Sequence, residues 1–161
     1  MTISTGSGCS VAIGTTLAIN TDQDEATVIS EFESDTYIEV GEVEDLGEFG
    51  DESPEVPFTS LADSRVRKLK GARDAGTLTV TSGADHGDEG QEAMIAAEAE
   101  PHDYNFRVTL NDPDTLGGTP SVHYFRGKVM GKRLNVGNAN NVLRRNFTVG
   151  VNTAIFEQAP T

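Results

Sequence analysis

Alternation of apolar and polar residues is cleanest in the second half of the chain. Residues 104–110 (YNFRVTL) place Tyr104, Phe106, Val108 and Leu110 on one face, and residues 76–82 (GTLTVTS) set Leu78 and Val80 against three threonines. Residues 142–156 put Leu143, Phe147, Val149, Val151 and Ile155 on one face, after a turn at residues 138–141. A period of two is the mark of a strand with one buried face. Residues 121–136 predict another long strand, interrupted by Gly127 and Gly131, which point to bulges or bends. One stretch has a helical composition. Residues 88–100 (DEGQEAMIAAEAE) combine strong helix formers with Asp88 and Glu89 at the N-terminal end, and Pro101 stops the run.

The first half is less regular. Residues 10–19 (SVAIGTTLAI) predict a first strand from their β-branched content. Residues 20–35 are strongly acidic, with only Val28, Ile29 and Phe32 at helical spacing, and read as a mobile loop or a short helix. Residues 37–46 (YIEVGEVEDL) alternate, yet neither face is purely apolar, which is unusual for a strand that simply covers a monomer core. Residues 47–60 hold two glycines and two prolines, so they read as a loop leading into an edge segment near 56–59. The expected fold is mainly β: six to eight antiparallel strands in a β-sandwich or barrel-like arrangement, with one flanking helix at about 88–100. A length of 161 residues fits a single domain spanning 1–161.

Charge changes the picture. The net charge of -14 resides wholly in residues 1–60, which hold fourteen Asp or Glu and no Lys or Arg. One reading is a solvated acidic loop; the other is a surface that repels a polyanion or meets a basic neighbour. Arg65, Arg67, Lys68, Lys70 and Arg73 gather five of the twelve bases within nine residues. They complement the acids between Glu42 and Glu55, either within one chain as a hairpin or between copies in a head-to-tail contact.

Candidate chemistry adds little. His86, His102 and His123 have no Cys or His neighbour at zinc spacing, and Cys9 is the only cysteine. The acids at 22–25 and 85–89 lack the calcium-loop pattern, no nucleophile elbow occurs, and the glycines at 6–8 precede a strand rather than a helix. No enzyme activity, metal or cofactor is expected. A start without a basic-then-apolar leader and the absence of a long apolar run predict a soluble chain in a reducing compartment, with no membrane contact.

Three runs carry a resemblance. They are residues 37–50 (YIEVGEVEDLGEFG), residues 58–64 (FTSLADS) and residues 67–80 (RKLKGARDAGTLTV). Together they resemble the central motif of the major tail tube proteins of siphophages and of related gene transfer agent tubes, with Val40 where that family usually has Ile. Residues 124–129 (YFRGKV) resemble the strand that follows the family's helix. The acidic stretch 20–35 departs from the pattern.

The resemblance implies a structural subunit whose hexameric rings stack into a hollow conduit for double-stranded DNA. It also implies a virion-tail location after synthesis in the host cytoplasm, and a tape measure protein, a tail terminator and a distal tail protein as partners. On this reading Glu39, Glu42 and Glu44 are candidates for the lumen or the ring interface. The loop at about 47–72 contacts the next ring, with Phe49, Asp51, Glu52, Glu55, Arg65, Arg67, Lys68, Lys70 and Arg73 as its contact residues. An acidic lumen would keep passing DNA off the wall. Two alternatives stand beside it: a tail terminator, baseplate or secretion-tube ring protein of the same fold, and a monomeric acidic DNA mimic.

Overall fold

Ten strands and two helices account for the regular structure of the computed structural model, which describes residues 3–161. They run β1 (Ser10–Ile13), α1 (Glu25–Glu33), β2 (Ile38–Glu39), β3 (Val43–Asp45), β4 (Glu55–Thr59), β5 (Val66–Lys70) and β6 (Thr77–Gly83), then α2 (Glu89–Glu98), β7 (Tyr104–Thr109), β8 (Val122–Asn135), β9 (Arg144–Val151) and β10 (Phe156–Gln158). One antiparallel sheet follows the order β2-β1-β7-β8-β9-β6-β3, with β10 beside the start of β8; β4 and β5 form a separate two-stranded sheet. The alternating segments of the second half are its central strands, as their period required. No helix among the described residues is long and apolar enough to cross a membrane.

The main sheet is curled, and residues 37–46 explain why. They do not form one strand. β2 lies at one end of the sheet and β3 at the other, so the chain crosses from edge to edge within Val40, Gly41 and Glu42. Extended chain gains roughly 3.3 Å per residue, so these few residues hold the two edges within about 13 Å of each other. The mixed faces of this segment reflect its two different settings. Val40 N–H donates to Val11 O at 2.9 Å on one side, and Gly83 N–H donates to Glu42 O at 2.9 Å on the other. Glu42 turns the corner with φ 54, in the left-handed region.

Curling brings the inward faces of all the long strands into one cluster. Val11, Phe106, Phe125, Phe147, Val149, Leu78 and Val80 are fully buried there. α2 lies over this concave face and adds Met94 and Ala97. Asp88 caps the helix by accepting from Gln91 N–H at 2.8 Å, and it also accepts from Gly41 N–H at 3.0 Å. Gln91, wholly buried, donates to Gly83 O at 2.7 Å and Gly41 O at 3.2 Å, which satisfies its amide and pins the crossing to the end of β6. Gly90 permits the approach: a Cβ there would stand 2.1 Å from Glu39 O. Gly131 marks the bulge in β8, as its position in the sequence implied, whereas the ladder runs through Gly127 with no register shift.

The acidic stretch contains a second helix. Asp24 caps α1 by accepting from Thr27 N–H at 3.2 Å, and Val28 and Phe32 form its buried stripe. That stripe packs on the convex face of the sheet with Ile19 and Tyr124, where Phe32 and Tyr124 stack at 5.6 Å. Asp35 then ties the segment down by accepting from Thr15 N–H at 2.9 Å and Asn105 Nδ2 at 2.8 Å. Weak amphipathicity hid this helix, because only one narrow stripe of it is covered.

Candidate assembly surfaces

The β4–β5 hairpin stands apart from the body, and every residue of both strands is exposed. Its base is a bridge between Glu52 and Asp74, closed by Gly71 N–H donating to Pro54 O at 2.7 Å. In register, Val56 faces Leu69 and Phe58 faces Arg67, so Val56, Phe58 and Leu69 make an apolar strip along one side of the arm. Leu61, at the tip, is fully exposed. An isolated two-stranded hairpin is at best marginally stable in water. Exposed apolar residues on such an element give the folded monomer nothing and fit a surface completed by a partner.

The acidic and basic segments flanking the arm do meet within one chain. Lys68 lies 3.3 Å from Glu55, Arg67 lies 2.7 Å from Asp63 and Arg73 lies 3.5 Å from Asp51. The Arg67–Asp63 and Lys68–Glu55 pairs are well exposed, so each contributes no more than about 1 kcal/mol. They do not neutralise the arm. Residues 55–70 hold two acids and four bases, leaving the remainder of the chain at -16. A basic, partly apolar arm thus projects from an acidic body. Phe49 is half-buried against the core and meets His123 edge-on at 5.5 Å, which places it in the wall at the arm's base rather than on the arm.

The three glutamates between residues 39 and 44 are separated by the edge-to-edge crossing. Glu39 sits on β2 opposite Ala12, Glu42 lies on the crossing, and Glu44 belongs to β3 at the far edge. Glu44 accepts from Nε and Nη2 of Arg144, the second bond being 3.0 Å. The Arg144 guanidinium holds its carboxyl below the usual carboxylate range. The convex face over β6 and β9 is otherwise hydroxyl- and amide-rich, with Thr77, Thr79, Thr81, Asn146 and Thr148 pointing away from the core. Nearby Lys128 pairs with Asp103 at 3.3 Å.

A second projection went unrecognised in the sequence. The β8–β9 hairpin runs past the end of β6, and Leu134, Val136, Val142 and Leu143 are each about half exposed or more. The alternation of Leu134 with Val136 matches that of a covered strand, and only the end of the neighbouring β6 at Gly83 shows that nothing covers them. The sheet edges themselves are short, two residues in β2 and three in β3. That length leaves little room for edge pairing between copies.

The fold of the chain is shared with solved chains of tail tubes and injection systems. The chain is similar over 99% of its length to a chain of the anti-feeding prophage baseplate, covering 97% of that chain at a TM-score of 0.67 and 10% identity. It is similar to a chain of a native gene transfer agent virion, with coverage of 98% and 100%, a TM-score of 0.65 and 12% identity. Against the SPP1 tail tube the TM-score is 0.58 at 12% identity, covering 94% of this chain and 76% of that one. No family model and no curated protein matches at the level of sequence. At such identities the likeness establishes the fold.

Proposed function

We propose that this chain is the major tube subunit of a long non-contractile phage tail or of a gene transfer agent, assembling as hexameric rings that stack head to tail. The β4–β5 arm carries this reading: an exposed, partly apolar, basic hairpin at one end of an acidic body is built to meet another copy. A heterologous contact between stacked rings, whose operation does not close, propagates along the tube axis. The six-fold symmetrised baseplate among the similar structures is consistent with rings of six. Tape measure, terminator and distal tail proteins would then be its partners, the virion tail its location, and the host cytoplasm its place of synthesis.

DNA would pass through the stacked rings without specific binding. The body's charge of -16 repels phosphate, and the convex sheet face pairs Arg144 and Lys128 with carboxylates instead of offering them to DNA. Glu39 and Glu42, both exposed, remain candidates for the lumen or the ring interface.

The arm is the part to test. Replacing Arg65, Arg67, Lys68 and Lys70 with glutamine is expected to abolish stacking while leaving the monomer's thermal unfolding unchanged. Negative-stain microscopy with sedimentation across concentration and salt would read both states. Tubes of normal length from this variant would refute the arm's role. Closed rings that never stack, from the unaltered chain, would favour the terminator or baseplate reading. A persistent monomer that captures basic nucleic-acid-binding proteins would favour the DNA mimic.

A further inference from the structure

The two projections leave the body at opposite ends of the same strands. β6 and β9 pair from Thr77–Gly150 at one end to Gly83–Arg144 at the other, a span of about 20 Å at the usual rise per residue. The β4–β5 arm departs just before Thr77, whereas the β8–β9 hairpin continues beyond Arg144. One end of the sheet therefore carries a cleft and an arm, and the other a protruding tip.

Their chemistry is complementary. Residues 132–145 contain Lys132, Arg133, Arg144 and Arg145 and no acid. Lys132 and Arg144 are partnered by Glu98 and Glu44, while Arg133 makes no ion pair among the described residues. Beyond them lie the exposed Val136, Val142 and Leu143. The turn is preorganised without help from the body: Asn141 N–H donates to Asn138 O at 3.0 Å, Asn140 N–H donates to Asn138 Oδ1 at 3.0 Å, and Gly137 takes φ 62. A rigid tip loses little freedom on docking. At the other end, a cleft of about 560 Å³ is walled by Glu48, Phe49, Asp51, Glu52, Ala75 and Thr77. Its acids outnumber the nearby Arg73, and Phe49 and Ala75 supply an apolar floor.

We infer that the β8–β9 hairpin tip of one copy seats in the cleft at the base of the β4–β5 arm of the next copy, with Arg133 meeting the Glu48–Asp51–Glu52 rim. The inference rests on the head-to-tail reading above and adds its second half. The arm reaches outward from one end, and the tip is what the same end receives. Scattered exposed apolar residues are ordinary on any surface, but here they cluster on one preorganised hairpin opposite an unfilled acidic cleft.

The test places a photo-reactive benzoylphenylalanine at Val136 in the full chain and irradiates it under conditions where sedimentation reports self-association. Cross-links between copies should map to peptides spanning 48–54 or 72–77. The variant carrying Val142→Asp and Leu143→Asp should self-associate at least about tenfold more weakly, a shift of about 1.4 kcal/mol, with an unchanged unfolding midpoint. Stacked assemblies whose cross-links fall elsewhere would overturn the tip-in-cleft contact and leave stacking intact. Absence of self-association at every concentration and salt would overturn both.

Discussion

The β8–β9 and β4–β5 hairpins are both antiparallel and have opposite surroundings. In β9 every second residue, from Arg145 to Val151, is buried against the concave core, whereas no residue of β4 or β5 is buried at all. A strand pattern therefore reports a partner surface, not pairing itself. β9 finds its partner inside the chain. The alternation of Val56 and Phe58 with Glu55, Pro57 and Thr59 has none there, and on the proposed reading its partner is another copy.

The contrast predicts how each hairpin responds to truncation. Phe147→Ala, at a fully buried site in β9, should destabilise the monomer by about 3–5 kcal/mol in denaturant unfolding. A loss near zero would mean that the concave cluster is not the core. Gly90→Ala should cost about 1–3 kcal/mol, because the added Cβ meets the backbone of Glu39 across the crossing. Helix propensity alone favours alanine by about 1 kcal/mol, so a stabilised variant would show that α2 does not clamp the two sheet edges.

Asp35 offers a smaller effect with a defined pH window. Partial burial opposes its charge, but hydrogen bonds from Thr15, Asn105 and Thr36 outweigh it and hold the carboxyl below the usual range. Stability from this group is present above the unfolded value of about 3.9 and is lost as pH falls through the lower folded value. Asp35→Asn should therefore remove about 1 kcal/mol near neutrality, and the difference from the parent should shrink in acid. A gap that widened below pH 4 would contradict the assignment. Smallest of all, Phe58→Ser in the arm should alter monomer stability by no more than about 0.5 kcal/mol while impairing self-association. A large loss of monomer stability would return the arm to the body.

Legibility in the sequence followed the same divide. β6, β7, β8 and β9 were readable because one of their faces is covered, and α2 because alanine-rich composition and Pro101 bound it. Residues 37–46 read as one strand because their alternation continues through the crossing, and only the pairing of β2 with β1 and β3 with β6 reveals the break. α1 reads in the sequence as either loop or helix because its buried stripe rests on Val28 and Phe32 among many acids. Of the candidate assembly residues, the charged cluster of the arm was visible as composition. The β8–β9 tip was not, since exposure depends on where a neighbouring strand stops.

The sheet order has a consequence during synthesis. β1, made first, pairs with β7 nearly a hundred residues later, whereas β4 and β5 pair across a short turn. At about 5–20 residues per second, roughly 4–16 s separate completion of the arm from emergence of the last residues of β9. Throughout that interval the apolar and basic arm segment is exposed on a ribosome-bound chain whose main sheet is still incomplete. The fifty-four residues leading up to the arm carry thirteen negative charges and no positive one. Neighbouring nascent chains on one message would repel each other through those segments until the sheet curls shut.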